Sequence, residues 1–284
     1  MPRSILTWPD GRKVAVMITA AVELWSEGRW PVYAPMAGAW PLTNARDTHS
    51  VSWSEYGAST GVWRLLDILE NRGMPATFGV NGLVAERFPE AVLAIGEAGH
   101  EIAAHSYAQD VMPVLLDADE ERANLNRSTD ALFDVTGVRP RGWMSPRATG
   151  SPRTPELLSE FGYLWSGDFN DRELPYVLPT SHGPLVAIMH ADFSDVRASI
   201  SGPAGYRDAH RDLLAYLLRS PYPEVLNVIV HAHVGGRPSL AGMFDQILGF
   251  VHEAGDEVWI ATRAQVAEHV LRQTEHQEGN LTAS

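Results

Sequence analysis

Short β-branched runs alternate with longer stretches of helical spacing along this chain. Residues 13–21 (KVAVMITAA) are apolar apart from Lys13 and Thr19 and predict a buried strand. Residues 60–71 place Val62, Leu65, Leu66 and Leu69 on one helical face, with Gly73 set to end the helix. Further strands are predicted at 76–80, 101–104, 141–144, 163–166, 185–189, 225–231 and 258–261. Helices are predicted at 89–98, from Asp117 through Phe133, after Thr154, and near 206–219, 239–254 and 263–272. Asp117 followed by Glu120 forms a capping-box pattern, and Pro155 suits the first turn of the helix that Thr154 opens.

Repeated β-then-α units predict a parallel sheet with helices outside it. Neither a dinucleotide-binding glycine fingerprint nor a phosphate loop is present, which favours a closed or nearly closed (β/α) barrel. The pattern predicts a single domain over residues 1–273. Residues 25–56, rich in Trp, Pro and Ala, are too long for a simple βα connection and predict a rim insertion. Residues 274–284 form a polar tail expected to fray.

Composition narrows the chemistry. The 284 residues contain no cysteine, which removes disulfides, thiol catalysis and iron–sulfur clusters. Any metal must be held by His, carboxylate or amide oxygen. Twenty-two Lys and Arg stand against 35 Asp and Glu, a net charge of −13 that works against nucleic-acid or anionic-lipid binding. No apolar run is long enough for a membrane span, and residues 1–12 have no signal-peptide pattern, so a cytoplasmic location is expected.

In a barrel, functional residues collect where strands end. Those positions offer Glu23, Asn81, His105, Ser145-Pro146-Arg147, Asp168, His190 with Asp192, and His231 with His233. Structural readings compete at several of them. Glu23 would pair with Arg29 or Arg46, His105 would bond a backbone carbonyl, and Asp168 would cap a turn. Arg147 would form a salt bridge with a buried Asp. His190 and His233 would pack in the core or rim, and the Trp-rich segment would make a subunit contact or a sugar-stacking platform.

The runs ATFGVNG, GHEIAAHS, RPRGWMSPR and VIVHAH resemble the NodB-type polysaccharide deacetylase superfamily. The details SGDFNDRELPY, DFSDVR, HVGGRPSLAGMFDQILGFV and DEVWIATRAQVAEH resemble its cofactor-independent allantoinase and cyclic imide hydrolase branch. The resemblance spans residues 13–269 and implies a distorted (β/α) barrel that hydrolyses an amide or imide. Deacetylases of the superfamily carry an Asp pair after the first strand and a His-x-x-x-His pair after the third, which hold a metal and its water. Here Glu23 stands near the Asp pair, His105 matches the first His, and Gln109 falls at the second.

Two mechanisms follow. In one, Glu23 and His105 hold a weakly bound divalent ion, zinc foremost, with a third ligand from His49, Gln109 or His233. In the other no cofactor is needed, and Glu23 or His105 acts as general base. The resemblance implies His231 as the acid toward the leaving nitrogen. Asp168 would orient His231 or bind a substrate NH, and Arg147 would hold the oxyanion, a carboxylate or an imide carbonyl. Asn81, Trp25, Ser145, Gln109 and His233 are expected to bind substrate. The expected partner is a small amide or imide, its attack assigned to activated water; a polysaccharide N-deacetylase or a degenerate ligand-binding barrel is the alternative. The resemblance also implies a homo-oligomer, dimer or tetramer.

Overall fold

A computed structural model of the chain describes residues 6–35, 40, 44–191, 193–197 and 202–282, with side chains through residue 276. Asp192 lies outside the described residues. The strands run β1 (Val14–Val22), β2 (Thr77–Val80), β3 (Glu101–Ala104), β4 (Gly142–Trp143), β5 (Trp165–Phe169), β6 (Tyr176–Leu178), β7 (Leu185–Met189), β8 (Glu224–His231) and β9 (Val258–Ile260). Their order in the sheet is β6-β7-β5-β4-β3-β2-β1-β8, with β9 also on β1. All pairings are parallel except β6 with β7. Helices cover the outside, so the fold is the distorted, nearly closed α/β barrel of one domain that the alternation predicts.

The seam lies between β7 and β8. Asn227 Nδ2 donates across it to the Met189 carbonyl at 3.1 Å, and Ser194 makes a parallel bridge to Ile229. The antiparallel β6 escapes the sequence reading because three residues are too few to show a period.

Two apolar layers divide the strands by parity. In β1, Val14, Val16, Ile18, Ala20 and Val22 pack toward the helices, whereas Ala15 and Met17 join an inner cluster with Ala103, Met144, Trp165, Val186 and Ile188. Side chains alternate along a strand, so the inward set continues past each strand end. Thr19, Ala21 and Glu23 extend it from Met17, His105 from Ala103, and His190 from Ile188. Val225, Asn227, Ile229 and His231 do the same on β8. One alternation thus fills the barrel with apolar residues below and delivers polar ones to its mouth.

Helix α1 (Thr48–Tyr56) begins inside the predicted insertion, capped by Asp47, whose side chain accepts from the Ser50 amide at 2.9 Å. It runs through a π-turn at Gly57–Gly61 into α2 (Val62–Arg72), and Gly73 closes α2 at φ 61°. Helices α3 (Gly82–Arg87) and α4 (Pro89–Glu97) follow, and α5 (Ala118–Thr136) carries the expected capping box. After α6 (Thr154–Glu160) and α7 (Pro203–Leu217), helix α8 (Pro238–Glu253) covers the late strands, and α9 (Arg263–Thr282) carries residues 274–282 as helix where a frayed tail is expected. No helix among the described residues is long and apolar enough to cross a membrane.

The π-turn brings α1 against the loop after β8. A Cβ on Gly61 would fall 1.9 Å from the Ala232 carbonyl oxygen, and one on Gly57 would meet the His233 backbone nitrogen at 3.0 Å. A Cβ on Gly242, on the open side of α8, meets nothing within 4 Å. Gly61→Ala is therefore expected to cost about 1–3 kcal/mol or more as a backbone-limited overpacking. Gly242→Ala should instead stabilise by about 0.5–1 kcal/mol through helix propensity. Urea unfolding of the two variants checks both signs.

Candidate active site

Glu23 sits at the floor of a cavity of about 910 Å³ at the C-terminal mouth of the barrel. Its side chain is 2% exposed, and three imidazoles surround it. His105 Nε2 lies 3.2 Å and His231 Nε2 3.6 Å from the same oxygen, Oε1. His233 Nδ1 is 3.8 Å from Oε2. Gln109 Nε2 donates to Oε1 at 2.8 Å. Trp25, Trp30, Tyr33, Met144, Arg147 and His190 line the walls.

Each of the two histidines nearest Oε1 is anchored through its other ring nitrogen. His105 Nδ1 lies 2.7 Å from the Met144 carbonyl, which can only accept, so Nδ1 carries the proton and Nε2 faces Glu23. His231 Nδ1 lies 2.6 Å from Asp195 Oδ1, and the His231 backbone NH donates to Asp195 Oδ2 at 2.8 Å. The His231 anchor carries a charge, and that charge governs its titration. Burial pushes His231 down, but the carboxylates of Asp195 and Glu23 outweigh it and raise it to about 9. Burial pushes Glu23 up, yet the surrounding imidazoles, His231 first among them, hold it at about 2. Glu23 and His231 thus form an ion pair near neutral pH. His233 and His190 have no such anchor, and burial depresses both to about 4.

Gln109 is oriented by a chain of bonds that begins at the backbone. The Leu24 amide donates to Asn81 Oδ1 at 2.9 Å, so Asn81 Nδ2 is the donor on its other side. That nitrogen bonds the His105 carbonyl and reaches Gln109 Oε1 at 3.4 Å. Gln109 must then present its NH₂ to Glu23. Asn81 is occupied in tying the ends of three strands together and does not line the cavity, contrary to its expected contact with substrate.

Two further expectations are corrected by strand parity. Strand β5 runs to Phe169, so Asp168 lies within it and on the face opposite the inward Trp165. Ser145 likewise continues the outward face of Trp143. The pair bond each other: Asp168 accepts from the Ser145 amide and hydroxyl, both at 2.6 Å, and Trp143 Nε1 donates to Ser145 Oγ at 2.9 Å. Burial raises Asp168 to about 6 against the opposing Ser145 hydrogen bonds. Asp168 neither orients His231 nor pairs with Arg147. Asp195, in the DFSDVR run, takes the orienting contact. Its signal was an acidic residue just past a strand, but only the seam register places it under His231. Gly235 makes room for it, since a Cβ there would lie 2.5 Å from Asp195 Oδ2.

The remaining candidates fall into place by position. Trp25 lines the cavity and meets His233 edge-on at 5.1 Å between ring centroids. His233, expected to bind substrate, does not line the main cavity but borders an adjoining one of about 640 Å³, with Trp53 at 4.8 Å. His49 is exposed on the far wall of that second cavity and is not among the groups around Glu23. Arg46 pairs with Glu27 rather than Glu23. Arg147 is exposed on the wall of the main cavity.

This donor set does not fit the three-ligand metal site of the deacetylase pattern. Glu23 and His105 supply one carboxylate and one imidazole, but Gln109 in the third position turns its nitrogen, not its oxygen, inward. His233 approaches the other Glu23 oxygen, and His49 is remote. Among the described residues no three His, Asp or Glu side chains are grouped as metal ligands.

A parallel α/β barrel with a buried carboxylate–imidazole cluster at its mouth defines the class. Residues 48–165 match the family model for polysaccharide deacetylase. A putative polysaccharide deacetylase from Mycobacterium smegmatis is 33% identical, covering 96% of each chain, with a TM-score of 0.80. PuuE allantoinase is 25% identical over 95% of this chain and 97% of its own, with a TM-score of 0.79. The peptidoglycan deacetylase of Helicobacter pylori is 24% identical over 78% of this chain and 87% of its own. The chain belongs to the polysaccharide deacetylase family.

The ion pair predicts a specific titration. By NMR, the His231 ring should titrate near 9 and move down by more than about one unit in Asp195→Asn. Asp168→Asn should leave it unchanged. Because His231 is raised on folding, its stabilising contribution is complete below the ordinary imidazole value and is lost as pH rises through about 9.

Proposed function

We propose that this protein hydrolyses a carbon–nitrogen bond of a small, cyclic amide or imide, using acid–base chemistry and no bound metal. The observation that carries the reading is Glu23 Oε1 lying within 3.2 and 3.6 Å of two imidazole Nε2 atoms whose anchors differ in charge. Sites that split one residue type into acid and base do so by such differences in environment. Likeness to PuuE allantoinase over nearly the whole chain supports the cyclic substrate. The cavity falls within the range of small-molecule sites, with Trp25, Trp30 and Tyr33 in its lining.

The steps assign one role to each group. Glu23, held at about 2, is too weak a base to remove a proton from water efficiently; its carboxylate orients the water. His105 takes the proton at Nε2, where the imidazolium formed meets Glu23 at 3.2 Å. The hydroxide adds to the carbonyl carbon, and the oxyanion develops beside the cationic His231. His231 gives its Nε2 proton to the departing nitrogen as the C–N bond breaks, leaving an amine or ureido group and a carboxylic acid, which loses its proton to solvent. Glu23 Oε1, close to both rings, is placed to pass the proton from His105 back to His231.

The deacetylase reading has its own support in the M. smegmatis and H. pylori relatives. The two separate by product. Ring opening of hydantoin or glutarimide supports the proposal, whereas acetate release from N-acetylglucosamine oligomers with no ring opening overturns it.

Three outcomes are expected of the ring-opening enzyme. His105→Ala should lower kcat by about 10²–10⁴-fold. The pH profile of kcat/KM should fall on the alkaline side near 9, because the acid form of His231 is required, and Asp195→Asn should move that limb to lower pH. Elemental analysis should find substoichiometric metal in fully active protein, and dialysis against a chelator should leave the rate unchanged.

A further inference from the structure

We propose that the substrate carries an anionic group, a carboxylate in the simplest case, which three arginines at the cavity rim receive. The inference rests on the hydrolase reading for the substrate's reacting end, and on separate observations for its far end.

Arg29, Arg147 and Arg197 come from the loops after β1, β4 and β7, and all three line the cavity that holds Glu23. All three are exposed, and none forms an ion pair among the described residues. The chain carries 35 acidic residues against 22 basic, yet none pairs with these three among the described residues. Elsewhere on the surface Arg72, Arg122 and Arg141 sit at 2.7 Å from Asp245, Glu160 and Glu268. The cavity lining has two carboxylates of its own, and both are engaged. Glu23 is enclosed by the histidines at the floor, and Asp110 Oδ1 accepts from the Ser26 amide at 2.8 Å.

Arg147 is also held in a backbone shape that a non-glycine residue adopts only at a cost. Arg147 and Ala148 have φ of 56° and 54° in succession. The turn is fixed by the Ala148 amide on the Ser145 carbonyl at 2.9 Å and the Thr149 amide on the Pro146 carbonyl at 3.1 Å. Asp168 clamps the Ser145 end of the same turn. The buried Ser145–Asp168 pair thus serves to hold the turn from which Arg147 reaches the cavity wall.

The cavity is therefore polar along its depth, with a carboxylate at the floor and guanidinium groups at the rim. An anion at the reacting end would meet Glu23, whereas one at the far end meets planar donors suited to carboxylate oxygens. The same field would orient the substrate with its neutral amide inward.

Two probes that differ only in this charge test the proposal: hydantoin-5-acetate and its methyl ester, titrated calorimetrically into the full chain. The carboxylate is expected to bind about tenfold tighter or more, with the margin shrinking as ionic strength rises. The margin should vanish in the triple variant Arg29→Gln, Arg147→Gln, Arg197→Gln, whose thermal melt confirms folding. Arg29→Gln with Arg197→Gln alone should halve the margin or better if the triple variant does not fold. Equal affinities, tighter ester binding, no binding of the carboxylate, or a margin that survives the arginine changes would overturn the proposal. If the carboxylate preference holds but neither ring is opened, the anion site stands and the hydrolase reading fails. Ring opening with no preference between the probes gives the reverse.

Discussion

The charge of Glu23 is the constraint around which the mouth of the barrel is arranged. A carboxylate this deeply buried is tolerable only if opposite charge and hydrogen bonds replace its lost water. His231 supplies the charge, and Asp195 keeps that charge in place. Gln109, turned by Asn81, supplies a hydrogen bond, and His105, fixed by a backbone carbonyl, sets Nε2 beside the same oxygen. The cluster is thus a set of obligations that begins with one ionised oxygen and ends at strand backbones. His231 is held cationic because its anchor, Asp195, is itself an anion.

The scaffold meets these obligations through register and close approach. Parallel strands in fixed register carry Ala21, Ala103 and Ile229 inward, so the next inward residue on each strand reaches the same space. The seam between β7 and β8 lets Asp195 lie under His231, a position that a fully paired strand at that edge would occupy with its ladder. On the other side, Gly57 and Gly61 allow α1 to press against the loop carrying His233, which sets Trp53 beside that ring and closes the wall. The site is consequently rigid where it handles protons, and its arginine rim lies on the connecting loops.

Polar residues at strand ends divide into two kinds that look alike on paper. Asn81, Ser145 and Asp168 bind the protein to itself: the first joins β1, β2 and β3, and the other two hold the turn beneath Arg147. Glu23, His105, Gln109 and His231 face the cavity. The difference is one of parity and of which neighbours already claim the hydrogen-bonding groups, and a shift of one residue decides it for Asp168.

Periodicity alone was enough to place most strands, the parallel barrel and the polar mouth, because burial on both faces demands long apolar runs and their ends fall where water begins. Glu23, His105 and His231 were legible as candidates for the same reason. Hidden from any one-dimensional reading were the partners: Asp195 under His231, Asn81 turning Gln109, and the π-turn that joins α1 to α2. Those depend on which strand lies beside which, on where a seam is left open, and on whether two backbones touch at glycine. Local residue patterns carry hydrophobic period, but contacts between distant segments arise only when the chain closes on itself, and it is those contacts that fix the charges.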